Sequence, residues 1–258
     1  MNKKIITQFL LWTFTIMVLT CGIMVIFGQF GITVQNNFLL YIPYALSGLS
    51  PAIASYIVLK KNKQVSGFKE WLKNVFNPKT SIWFYLFIIL MLVLFFVPQF
   101  IIFGVELISP IYMIILSLPY MLIGGGMEEA GWRYILQPKL DKKYGFILSS
   151  LIVGIIWSIW HLPLFFIPEV GQYGTHFGLF AIFVVGLSFA LGAIRKITNS
   201  VFLCVLFHCL INSTLGTFAY SQTLLVSFIT TILLMIVSTT AVYIYEKKTA
   251  VRSLQENS

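Results

Sequence analysis

Long apolar runs alternate with short polar connections along this chain, and each run has about the length needed to cross a bilayer as a helix. At about 20 apolar residues per crossing, the pattern predicts eight spans, at 5–28, 38–59, 82–105, 111–137, 146–167, 177–194, 201–220 and 224–245. No stretch between them is long enough for a soluble domain. The expected fold is therefore all-α, a polytopic membrane protein with one integral membrane domain over 1–258. The longest polar connection, 60–81, carries Phe68, Trp71 and Phe76 among its lysines. It reads equally as a short amphipathic helix on the membrane surface or as a solvated loop. The first run exceeds the roughly 7 to 15 apolar residues of a signal-peptide core and lacks a small-x-small cleavage site, so it is expected to remain as the first span.

Charge adds orientation to this picture. Sixteen of the 17 Lys and Arg residues fall in alternate connections or at the ends: Lys3 and Lys4, the group from Lys60 to Lys79, Lys139 with Lys142 and Lys143, Arg195 with Lys196, and Lys247 with Lys248 and Arg252. The other connections, at 29–37, 106–110, 168–176 and 221–223, contain no Lys or Arg. By the positive-inside rule both termini are expected in the cytoplasm. The net charge of +9 is spread through these clusters, so nucleic acid is not an expected partner, whereas the lipid bilayer is. Only 10% of residues are charged, against about 25% in soluble domains. Cys21, Cys204 and Cys209 lie inside apolar runs, scattered as buried small hydrophobes and not as a disulfide or metal framework.

The seventeenth basic residue is Arg133, in the segment GGGMEEAGWRYILQ at 124–137. Each charged side chain at the centre of a membrane helix costs roughly 2.5–3.5 kcal/mol to insert, so Glu128, Glu129 and Arg133 together mark a functional site. Residues four apart share a helix face, which pairs Glu129 with Arg133. Glu128 lies about 100° around the helix with its charge unpaired, the situation of a general base. Pro119 and the glycines at 124–126 would loosen the fourth span and open a polar pocket beside Glu128.

Two further spans carry polar groups. The fifth contains WSIWHLP with His161, and the seventh contains FHCLINS with His208 and Asn212, four apart and able to donate to one substrate oxygen. Trp157 reads as an aromatic wall beside His161. His176, at an outer loop boundary, reads as incidental. Counted from the cytoplasmic ends at 1.5 Å per residue, Glu128, His208 and His161 would lie at depths of about 15, 11 and 22 Å, which disagree.

Taken together, EEAGWR, WSIWH and HCLIN resemble the EExxxR, FxxxH and HxxxN motifs of the CPBP family of intramembrane proteases, which includes CAAX-type prenyl endopeptidases and bacteriocin-processing and immunity proteins. Trp157 replaces the family's usual Phe, an exchange expected not to touch the polar group. The family-like core is expected over 111–220. By the resemblance, Glu128 and His161 would activate a water, Glu129 and Arg133 would hold the geometry, and His208 with Asn212 would stabilise the oxyanion of a scissile peptide bond. Two histidines and a glutamate are also a catalytic zinc set, so the sequence leaves the metal open. The implied protein is an endopeptidase of the bacterial plasma membrane acting on a peptide or membrane-protein tail, with its oligomeric state open. A non-enzymatic immunity protein that captures a peptide and a proton-coupled transporter are the alternatives.

Overall fold

The computed structural model describes residues 3–255. The extreme ends of the single-domain reading, 1–2 and 256–258, lie outside the described residues, as does the side chain of Arg252. Among the described residues the chain is helical, with one isolated bridge, Leu107 to Phe218, where two loops meet. Eleven α-helices follow in order: α1 Lys3–Gln29, α2 Tyr41–Lys61, α3 Phe68–Val75, α4 Ile82–Phe103, α5 Met113–Leu116, α6 Leu118–Ile123, α7 Glu129–Gly131, α8 Gln137–His161, α9 Phe177–Thr198, α10 Val201–Leu215 and α11 Leu224–Gln255. Among the described residues six helical stretches are long and apolar enough to cross a membrane, and α10 is apolar but only 15 residues long.

The fewer counted crossings have a physical origin in the stretch Leu118–Phe166, whose 49 residues form one such unit. At 1.5 Å per residue a straight helix of that length would be about 73 Å long, more than twice a bilayer core. It is not straight. Gly145, at φ 72° and ψ 175°, leaves the helical region inside α8. Gln137 Nε2 donates to Ser149 Oγ at 3.1 Å and to Ser150 Oγ at 3.2 Å, which residues 12 and 13 apart in an unbroken helix could not do. The chain therefore folds back at Gly145, inside the break expected between 137 and 146.

The loop helix α3 begins beside Ser66, whose hydroxyl and N–H both donate to Glu70 and hold that carboxyl below the usual carboxylate range. It does not lie apolar-side-down on a membrane: Trp71 and Val75 are buried against the bundle, and Trp71 Nε1 donates to Ser55 Oγ of α2 at 2.9 Å. The three cysteines are free and buried. Segment 124–136 is held between α2 and α10 because its glycines carry no Cβ. A Cβ on Gly131 would lie 2.6 Å from Pro51 Cβ, and one on Gly126 would lie 2.3 Å from Cys209 Sγ.

Candidate active site

The acidic segment is not one regular helix. Gly126–Glu128 forms a 3-10 turn, α7 adds a single helical turn, and Trp132–Leu136 widens into a π turn. Local π turns of this kind recur at functional sites. Here Arg195 of α9 donates from Nε to the carbonyl of Arg133 at 3.0 Å, so part of the widened turn is satisfied by a neighbouring helix.

The expected ion pair is present. Arg133 Nε stands 3.2 Å from Glu129 Oε2, with both side chains fully buried. Glu129 has a second partner that its spacing did not reveal: the Nδ1–H of His208 donates to its other oxygen at 2.8 Å. Glu129 therefore joins the acidic segment to α10, across 79 positions of sequence. Arg133 also lies 5.3 Å from the centre of the Trp157 ring, a cation–π contact.

Glu128 is buried and faces α8. Its Oε2 accepts a 2.6 Å hydrogen bond from the indole Nε1 of Trp157 and lies 4.0 Å from His161 Nε2. This corrects the reading of Trp157 as a replacement that leaves the polar group alone, since a phenylalanine has no such donor. The signal was in the sequence, because an indole N–H buried at membrane depth must find an acceptor. His161 is fixed from both sides: its Nδ1 bonds the Trp157 carbonyl at 2.9 Å, and its ring meets Trp160 and Phe180 edge-on at 4.6 and 4.9 Å.

His208 and Asn212 share a face of α10, as expected, and both face the glycine turn. Asn212 Nδ2 donates to the Gly124 carbonyl at 2.8 Å. A Cβ on Gly125 would lie 2.4 Å from Asn212 Nδ2 and 2.7 Å from His208 Nε2, so the two nitrogens converge on one spot. Gly125, at φ 144°, sits in backbone space that L side chains rarely enter. The glycines read as loosening the span are thus a close-approach surface. All six candidate residues come together around this segment. His176 stays on an exposed loop end, N-capping α9.

The disagreement in depth also has its explanation here. His161 closes the second limb of α8 after the fold-back, while Glu128 lies in an interrupted segment to which a uniform rise per residue does not apply. Both line one cavity of about 360 Å³, together with Trp157, His208 and Asn212.

Each imidazole turns Nδ1 toward an oxygen acceptor and leaves Nε2 on the cavity side, as zinc-bound histidines do. Yet among the described residues no three His, Cys, Asp or Glu side chains gather closely enough to hold an ion. His161, His208 and Glu128 do not fit a zinc ligand set in this arrangement.

A buried glutamate thus faces an imidazole, with two side-chain nitrogens converging nearby, in an apolar helical bundle. Comparison with known proteins finds two similarities. Residues 109–214 match the family described as type II CAAX prenyl endopeptidase Rce1-like. The CAAX prenyl protease 2 of Methanococcus maripaludis is 29% identical over 233 residues, covering 81% of this chain and 83% of the relative. Over these residues the chain is similar to CAAX-type prenyl endopeptidases.

Proposed function

We propose that the chain hydrolyses a peptide bond with a water activated by Glu128. The observation that carries this reading is the 4.0 Å spacing between Glu128 Oε2 and His161 Nε2. His161 directs its Nδ1–H to the Trp157 carbonyl, so in the neutral ring Nε2 keeps a lone pair facing the carboxylate. An oxygen about 2.8 Å from both atoms would subtend about 90° between them, close to what a water donating both hydrogens can span. Glu128 takes one proton, the water oxygen adds to the scissile carbonyl carbon, the C–N bond breaks, and Glu128 returns the proton to the leaving amine. One water is consumed and the glutamate is regenerated.

His208 and Asn212 are the proposed oxyanion donors. Asn212 has a second Nδ2 hydrogen beyond the one given to Gly124. His208 already directs Nδ1–H at Glu129, so it donates from Nε2 as the doubly protonated ring. In that form Glu128, Glu129, Arg133 and His208 sum to zero charge, which suits a site with little water to solvate an excess. Glu129 and Arg133 are positioning residues in this scheme. The catalytic core spans 111–220 within a single integral membrane domain, 1–258, of eight transmembrane segments with both termini on the cytoplasmic face of a bacterial plasma membrane. The relative's name specifies a prenylated protein; for this chain the substrate is a peptide or a membrane-protein tail.

Incubating the purified protein with a peptide library, with Glu128→Gln as the matched control, tests the reading. Cleavage by the wild type, and none by the variant at an unchanged melting temperature, is the expected result. Full activity in Glu128→Gln refutes it.

A further inference from the structure

The cavity that holds Glu128 does not end at the catalytic groups. A second cavity, of about 430 Å³, shares four of its lining residues: Gln172, Phe180, Phe183 and Leu215. Two cavities with four common walls lie side by side. The outer chamber is completed by Gly171, Thr175, Gly216, Tyr220 and Gln222, which belong to the loops before α9 and after α10.

Those loops have a consistent place relative to charge. Helix α9 starts at Phe177, beside the outer chamber, and ends with Arg195 and Lys196 in its last turn. Helix α2 starts at Tyr41, on the site cavity, and ends with Lys60 and Lys61. At 1.5 Å per residue each helix puts about 30 Å between the cavity end and the basic end, about the thickness of the hydrocarbon core. The loops at 162–176 and 216–223 contain no Lys or Arg. Between the site and the basic loop at 139–143, Trp132, Arg133, Leu136 and Gln137 are all fully buried.

The walls also restrict the guest. Among the residues lining either chamber, Glu128 is the one Asp, Glu, Lys or Arg. The site chamber is otherwise largely aromatic and aliphatic, with Tyr41, Tyr44 and Leu187 among its walls. A charged side chain entering it would lose its hydration and upset the charge balance of the site, where Glu128 and the protonated His208 are already offset by each other and by Glu129 and Arg133. Neutral polar groups, Gln172, Thr175 and Gln222, sit in the outer chamber, where a peptide backbone needs hydrogen-bonding partners.

We infer that the site is reached from the membrane face opposite the basic loops, through a neck at the shared walls Gln172, Phe180, Phe183 and Leu215, and that the segment it admits is an uncharged, apolar stretch of peptide. This rests on the endopeptidase reading and gives it a side and a substrate class. For a leader peptide or membrane-protein tail, the scissile bond has to be presented on that face.

Cysteine modification tests the inference without requiring catalysis, so a failure here is separable from a failure to cleave. Single substitutions Ala45→Cys in the site chamber, Thr175→Cys in the outer chamber and Lys63→Cys in a basic loop are treated with a neutral, sugar-linked methanethiosulfonate that does not cross membranes. Intact cells and inverted vesicles expose opposite faces, and the three native thiols are buried. Ala45→Cys and Thr175→Cys are expected to react at least tenfold faster in intact cells, and Lys63→Cys at least tenfold faster in inverted vesicles. Narrowing the neck with Gln172→Trp, or with Leu215→Trp should the first variant not fold, is expected to slow Ala45→Cys several-fold and leave Thr175→Cys unchanged. A capped Leu-Leu-Phe peptide is expected to protect Ala45→Cys, and capped Leu-Lys-Phe and Leu-Asp-Phe peptides are not. Faster reaction of Ala45→Cys from the face that exposes Lys63→Cys, no effect of either neck substitution, or equal protection by all three peptides or by none overturns the inference.

Discussion

At the scale of single residues, Trp157 and Arg133 have separable tasks. Trp157 holds Glu128 through its indole hydrogen and does not itself react. A hydrogen bond to a charged group is worth about 1.5–3 kcal/mol, and each 1.36 kcal/mol is a factor of ten in rate. Trp157→Phe is therefore expected to lower kcat/KM by about tenfold to a hundredfold while keeping most of the aromatic packing and nearly the wild-type melting temperature. Loss of rate only in parallel with loss of stability would make Trp157 a packing residue. Arg133 is the opposite case. Removing it leaves Glu129 buried with one partner, His208, and breaking a buried pair costs about 3–5 kcal/mol. Arg133→Ala should unfold at a distinctly lower temperature in detergent, and Glu128→Gln should not.

The elements that carry these residues depend on close backbone approach. Helix α2 passes so near the acidic segment that a Cβ on Gly131 would meet Pro51 Cβ at 2.6 Å, the Pro51 carbonyl oxygen at 2.7 Å and Phe9 Cε2 at 2.9 Å. Backbone atoms cannot swing aside, so Gly131→Ala is expected to destabilise by about 1–3 kcal/mol, as overpacking does, and to reduce cleavage by displacing Glu128. The comparison is Gly22→Ala in α1, where a Cβ meets nothing within 4 Å and alanine should stabilise the helix by about 0.5–1 kcal/mol. Thermal melts of the two variants separate close approach from the general effect of filling a glycine. The π turn after Gly131 belongs to the same device: it rotates Arg133 toward Glu129 and Ser188, and its freed carbonyl is taken up by Arg195.

For the whole molecule, the charge asymmetry of the loops predicts one orientation. A fluorescent protein that matures only in the cytoplasm should shine when fused at the C-terminus. Alkaline phosphatase, active only outside, should work when fused within 168–176. The opposite pattern would reverse the orientation, and activity of both reporters on one face would remove the eight-segment reading. The fold-back at Gly145 matters at this scale, because it returns the chain through the bundle and brings His161 to the acidic segment.

Features set by local rules were legible in the residues themselves. Membrane embedding follows from apolar run length, and the ion pair of Glu129 with Arg133 follows from helical spacing. That Glu128, His161, His208 and Asn212 belong together follows from the cost of placing polar groups at membrane depth without partners. The amphipathic pattern of 68–75 was legible too, but which surface it covers was not: a stripe of Trp and Val reads alike against lipid or against protein. Tertiary structure alone decided the contacts between distant segments. Glu129 bonds His208 and Trp157 bonds Glu128 because the glycines of 124–131 let α2 and α10 approach to backbone distance. The separation between Glu128 and His161 follows from the fold-back, where one glycine at positive φ reverses the chain. Spacing along a sequence determines which face a residue takes on its own helix. Which neighbour meets that face is set by the packing of the other helices, and here that packing assembled the site.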